Sequence, residues 1–120
     1  MKAPANQKDR IAKMLYNTVY PLYVAKVLKK NRTEEELKQV ITWLTGFSDE
    51  QLNHFSQTNI TFQELFNLAT LNSNAQLVTG TICGYKIEEI EDPLTKKVRI
   101  LDKLVDELAK GKSLEKILRN

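Results

Sequence analysis

Asp92 to Gly111, "DPLTKKVRILDKLVDELAKG", decides the fold class of this chain. Asp92 is a good helix N-cap and Pro93 suits the first helical position, where its missing N–H costs nothing. Leu94, Val98, Leu101, Val105 and Leu108 then recur with 4-3-4-3 spacing, and Gly111 supplies the stop. The seam covers barely two heptads, fewer than a coiled coil needs, so it is expected to face the core of its own domain.

Working outward, helix punctuation repeats. Thr33-Glu34-Glu35-Glu36 reads as a capping box, in which the Thr33 side chain takes the N–H three residues on and Glu36 reaches back. Leu37, Val40, Ile41 and Leu44 follow on one stripe, and Gly46 is placed to end that helix. Boxes recur at Ser48–Gln51 and Thr61–Glu64. They open short helices expected to bury Leu52 and Phe55, then Phe62, Leu65, Phe66 and Ala69. Upstream, Ile11, Met14 and Leu15 suggest a helix over residues 6–17. Pro21 is expected to start the next, with Tyr20, Tyr23, Val24, Val27 and Leu28 on its apolar face. Leu114, Ile117 and Leu118 predict a last turn or two. No segment alternates apolar and polar residues for more than a few positions. The expected fold is therefore all-α, a bundle of short capped helices plus one long C-terminal helix. A single domain is expected over residues 1–120, with 1–7 expected as a flexible tail.

Size and composition agree. The 120 residues are 42% hydrophobic and 28% charged, enough for one core that hides about two thirds of the unfolded surface. The first ten residues contain no apolar run and no stretch could span a bilayer, so neither a secretory leader nor a membrane anchor is read. Cys83 has no second cysteine to pair with, and the expected compartment is the cytoplasm. The net charge is +3, a weak hint of a nucleic-acid partner unless the surplus gathers on one face.

Residues 77–93, "LVTGTICGYKIEEIEDP", hold the densest set of unusual side chains. The spacing of Gly80 and Gly84 is too short for a phosphate-binding loop. A DNA-reading helix pair is opposed by Glu88, Glu89, Glu91 and Asp92, which would repel phosphates. The favoured reading is a helix–turn–helix corner whose acids organise the next helix, with Cys83 buried as a small apolar residue. His54, the only histidine, is expected on a partly exposed helix surface. Trp43 is expected to edge the core. No catalytic set, cofactor motif or metal cluster is seen, so none is expected.

The stretches "VYPLYVAK", "EEELKQVITWLTGF" and, most specifically, "LVTGTICGYKIEEIEDPLTKKVRILDKLVDELAKGKSLEKILR" resemble the bacterial family Domain of Unknown Function 2200 over about Arg10 to Arg119. The resemblance implies an all-helical, stand-alone bacterial protein and carries no site residues over. The functional expectation is a non-enzymatic binding or adaptor module that uses a helical surface, its partner a protein or a second copy of the chain. One alternative is a ligand binder or enzyme with a pocket near Trp43, Tyr85, Glu88 and Glu91. Another is weak nucleic-acid binding through Lys96, Arg99 and Lys103, although acids around that row favour an ordinary solvated face.

Overall fold

The computed structural model describes residues 9–119; the expected tail at residues 1–7 lies outside them. Helix α1, described over residues 9–13, stops at Met14. Six further helices follow: α2 (Tyr16–Lys29), α3 (Glu34–Thr45), α4 (Asp49–Phe55), α5 (Phe62–Leu68), α6 (Pro93–Ala109) and α7 (Leu114–Ile117). Between α5 and α6 run a 3-10 turn (Ser73–Leu77), strands β1 (Thr81–Ile82) and β2 (Tyr85–Lys86), and a second 3-10 turn (Ile87–Glu89).

All three capping boxes form, with both reciprocal hydrogen bonds present at Thr33/Glu36, Ser48/Gln51 and Thr61/Glu64. Asp92 caps α6, accepting from the Thr95 N–H at 2.9 Å and from the Thr95 hydroxyl at 2.7 Å. Gly46 ends α3 with φ +79°. A Cβ there would meet the Thr70 carbonyl oxygen at 3.1 Å, because the chain after α5 docks on this helix end through Thr70 N–H to Thr45 O and Asn72 N–H to Leu44 O.

Helix α6 is the centre of the fold, touching α2, α3, α5, α7 and the β1 strand. Val98, Leu101, Val105 and Leu108 are buried as the seam predicts, with Leu94 partly buried, and Ile100 and Leu104 widen the apolar face. The radius of gyration, 13.6 Å, is that of a close-packed chain of this length.

Two parts differ from the sequence expectation. The helix over 6–17 breaks at Met14–Leu15, because those residues give their backbone groups to the α4–α5 connection. Phe62 N–H donates to Met14 O at 2.8 Å, Tyr16 N–H donates to Ile60 O at 2.9 Å, and Leu15 bridges Thr61. Helix α2 consequently starts five residues before Pro21, which lies inside it at the loss of one backbone hydrogen bond. Its buried face is Tyr16, Val19, Tyr20, Tyr23 and Val27. Leu28, expected in the core, is 54% exposed.

The second difference is the corner after residue 77, which is a β-hairpin. Thr81 pairs with Lys86 and Ile82 with Tyr85, antiparallel. Cys83 and Gly84 form the tip, with φ +53° and +82°, the mirror-image turn that suits the twist of paired strands. Cys83 is exposed, not buried: a tip residue of a two-residue turn points away from the sheet's packed face. Val78, Ile82 and Ile87 are the buried anchors of this loop.

Candidate functional site

The hairpin lies against the first half of α6 and gathers several of the residues singled out in the sequence. Each has a structural partner. The Arg99 guanidinium stacks over the Tyr85 ring, 5.1 Å from its centroid, a favourable cation–π distance. Arg99 also donates to Asp102 at 3.2 Å, and Asp102 accepts from the Tyr23 hydroxyl at 2.6 Å. Lys103 reaches across to the Thr81 carbonyl at 3.2 Å. Glu88 accepts the Gly80 N–H at 3.1 Å, and Ile87 N–H donates to Gly80 O at 2.9 Å, closing the loop. The backbone N–H bonds at Glu88 and Gly80 hold the Glu88 carboxyl below its ordinary range.

The structure therefore brings Tyr85, Glu88, Arg99 and Lys103 to one corner, where Tyr85, Arg99 and Lys103 fasten hairpin to helix and Glu88 closes the loop. Trp43 sits elsewhere, on α3, partly buried against the core. Lys96 is half-buried on the first turns of α6 and Glu91 is exposed ahead of it. Of the expected basic row, Arg99 and Lys103 are engaged with the hairpin; further along α6, Lys110 bridges Asp106 at 3.1 Å. His54 is exposed on α4, its ring 5.8 Å from that of Phe55. Among the described residues, no three His, Cys, Asp or Glu side chains are grouped so as to hold a metal ion.

The residues that sequence reasoning missed lie on the outer side of α2. With Tyr16, Val19, Tyr20, Tyr23 and Val27 facing the core, Pro21, Leu22, Ala25 and Leu28 all face out. At 3.6 residues per turn these four fall within an arc of about 120°. Leu22 is 65% exposed and Leu28 54%. Lys26, Lys29 and Lys30 are exposed beside them, and α2 contains no acid. The signal was present in the sequence. A helix start at Pro21 leaves Tyr16 and Val19 out of the stripe and so rotates the expected buried face onto Leu28.

A largely helical globule with one small hairpin, built around a central amphipathic helix, is the class of protein this structure defines. Residues 10–119 match a family described as an uncharacterized protein conserved in bacteria, DUF2200, and the chain belongs to that family. It is also similar to a solved structure, the crystal structure of uncharacterized protein SP1917, at 38% identity and a TM-score of 0.86, covering 91% of this chain and 90% of that one. No curated protein matches the chain. Among the described residues no helix is long and apolar enough to cross a membrane.

Proposed function

We propose that this is a non-enzymatic binding module of the bacterial cytoplasm that docks an acidic, amphipathic helix of a partner protein on the outer face of α2. The observation that carries the reading is the exposed apolar arc Pro21–Leu22–Ala25–Leu28 on a helix whose only charged residues are lysines. Apolar side chains scattered singly on a surface mean little, whereas a contiguous set rimmed by charge marks an interaction face. An amphipathic helix reads such a face with side chains spaced one turn apart. Charge selects the partner. Lys29 and Lys30 would meet like charge in a second copy of α2, so self-pairing is disfavoured and a ridge flanked by Asp or Glu is favoured.

The pocket alternative has less support. Trp43 and Tyr85 belong to different elements, and Tyr85 is covered on one face by Arg99. The nucleic-acid alternative is weakened in the same way, because Arg99 and Lys103 are spent on the hairpin and Asp102.

The test is titration of a labelled helical peptide with a leucine ridge and glutamate flanks, followed by fluorescence anisotropy. Binding is expected for this peptide and not for its lysine-flanked counterpart, and it should disappear in Leu22→Lys with Leu28→Lys. Retained binding in that double variant overturns the reading. So does concentration-dependent dimerisation that the same substitutions abolish, which would identify a second copy as the occupant.

A further inference from the structure

A second surface, independent of the α2 face, lies where α6 turns into α7. An open bowl of about 580 Å³ is lined there by Lys103, Lys110, Lys112 and Lys116 together with Asp106 and Glu107. Three features that would make this corner negative are compensated by groups outside the lining. The C-terminal carbonyls of a helix carry partial negative charge, but Arg32 reaches in from the α2–α3 connection and donates to Leu108 O at 3.1 Å and Lys112 O at 2.9 Å. Asp106 is bridged by Lys26 at 3.3 Å as well as by Lys110. Glu107, buried, is held by Arg119 through both oxygens, at 2.8 and 2.9 Å, and approached by Lys112 at 3.4 Å.

With Lys26, Arg32 and Arg119 answering the carboxylates and the helix end, the ammonium groups of the lining are in surplus. Glu36 is occupied by Arg32 at 3.0 Å, and Glu115, the acid of α7, does not line the bowl. Lys116 is exposed, and Lys110, its side chain 74% exposed, can leave Asp106 to Lys26 and turn toward a ligand. Lysine ammoniums act on phosphate as mobile point charges. With Lys103 held at the rim by the Thr81 carbonyl, Lys110, Lys112 and Lys116 around a space larger than one phosphate suit a ligand with several.

We propose that this bowl binds a small ligand carrying two or more phosphate groups. Inorganic tripolyphosphate is the probe, titrated calorimetrically into the full chain at low salt. Saturable binding with a dissociation constant below about 1 mM is expected, weakening as salt rises. Lys112→Glu with Lys116→Glu should weaken it at least tenfold, while Lys29→Glu with Lys30→Glu on α2 should leave it unchanged. Both double variants alter exposed side chains, and circular dichroism checks that they fold. The proposal is overturned if tripolyphosphate gives no saturable heat, or if the two double variants weaken binding equally, since net charge alone would then be responsible. It is overturned also if a short DNA duplex binds through Lys112 and Lys116 while tripolyphosphate does not.

Discussion

The hydroxyl of Tyr23 donates to the carboxylate of Asp102 at 2.6 Å, joining α2 to α6 across 79 residues of sequence. Burial, and then the neighbouring Asp102 charge, push the phenol well above its ordinary pKa, so it remains a donor. Tyr16, about two helical turns earlier, is fully buried, and its hydroxyl has no hydrogen-bond partner. Removing the two hydroxyls should therefore have opposite consequences. Tyr23→Phe leaves a half-buried carboxylate short of a donor and should cost about 2 kcal/mol, in the range for hydrogen bonds to charged groups. Tyr16→Phe removes an unpaired polar group and should be neutral or stabilising. Urea unfolding of both variants checks this; equal losses would contradict it.

Glu107 gives the fold a dependence on acidity. Its burial would raise the carboxyl, but the bonds from Arg119 and the charges of Arg119 and Lys112 outweigh that and leave it lowered. A carboxyl lowered in the folded state stabilises fully above its unfolded pKa, because folding keeps it ionised. That contribution is lost as pH falls through the folded value, below the ordinary carboxylate range. Glu107→Gln should therefore be less stable than the parent at neutral pH by about 2 kcal/mol, with the gap closing on acidification. Asp106, also lowered as burial is outweighed by Lys110 and Lys26, adds to the parent's acid sensitivity. Denaturation midpoints followed from about pH 7 to about pH 3 measure it. A gap that stays constant would mean the Glu107 carboxylate contributes nothing through its charge.

Cys83 should react with a maleimide in the native protein at a rate close to that of a small free thiol, since it is exposed at the hairpin tip. Its φ of +53° lies in the left-handed region, where Asn is tolerated and most side chains are strained. Cys83→Asn should therefore raise stability by about 0.5–1 kcal/mol. Slow labelling, limited by global unfolding, would show instead that the thiol is covered.

The helices were legible because their evidence is local. Thr33, Ser48, Thr61 and Asp92 each announce a helix start within four residues, and the apolar spacing of α3 and α6 fixes which face is buried. Two features depended on distant groups. The break at Met14–Leu15 exists because Ile60 and Phe62 supply its hydrogen bonds, and nothing near residue 14 encodes that. The hairpin was hidden because its tip carries Cys83 where Asn or Asp is usual, and because two-residue strands are too short to show alternation. Of the candidate site, the sequence singled out residues that converge on the hairpin corner. Their chemical diversity reflects loop fastening: Tyr85, Glu88, Arg99 and Lys103 are each occupied by a neighbour.

Asp92 offers the most local test of how the central helix is specified. Its carboxylate accepts from both the N–H and the hydroxyl of Thr95, satisfying one of the N–H groups that a helix start leaves open and placing negative charge at the positive end of the helix. Pro93 follows in the first turn, where the φ its ring imposes suits a helix. The α6 start positions Val98 and Leu101 against α2 and α3, so fraying there loosens the centre of the fold. Asp92→Ala should cost about 1 kcal/mol, the usual loss for an N-cap, with an unchanged dependence on denaturant because the surface exposed on unfolding stays the same. Asp92→Asn keeps the acceptor and removes the charge, so it should recover most of that loss. If Asp92→Ala melts with the parent, packing of α6 alone sets where the helix begins. If Asp92→Asn is as unstable as Asp92→Ala, charge at the helix end matters more than the hydrogen bond to Thr95.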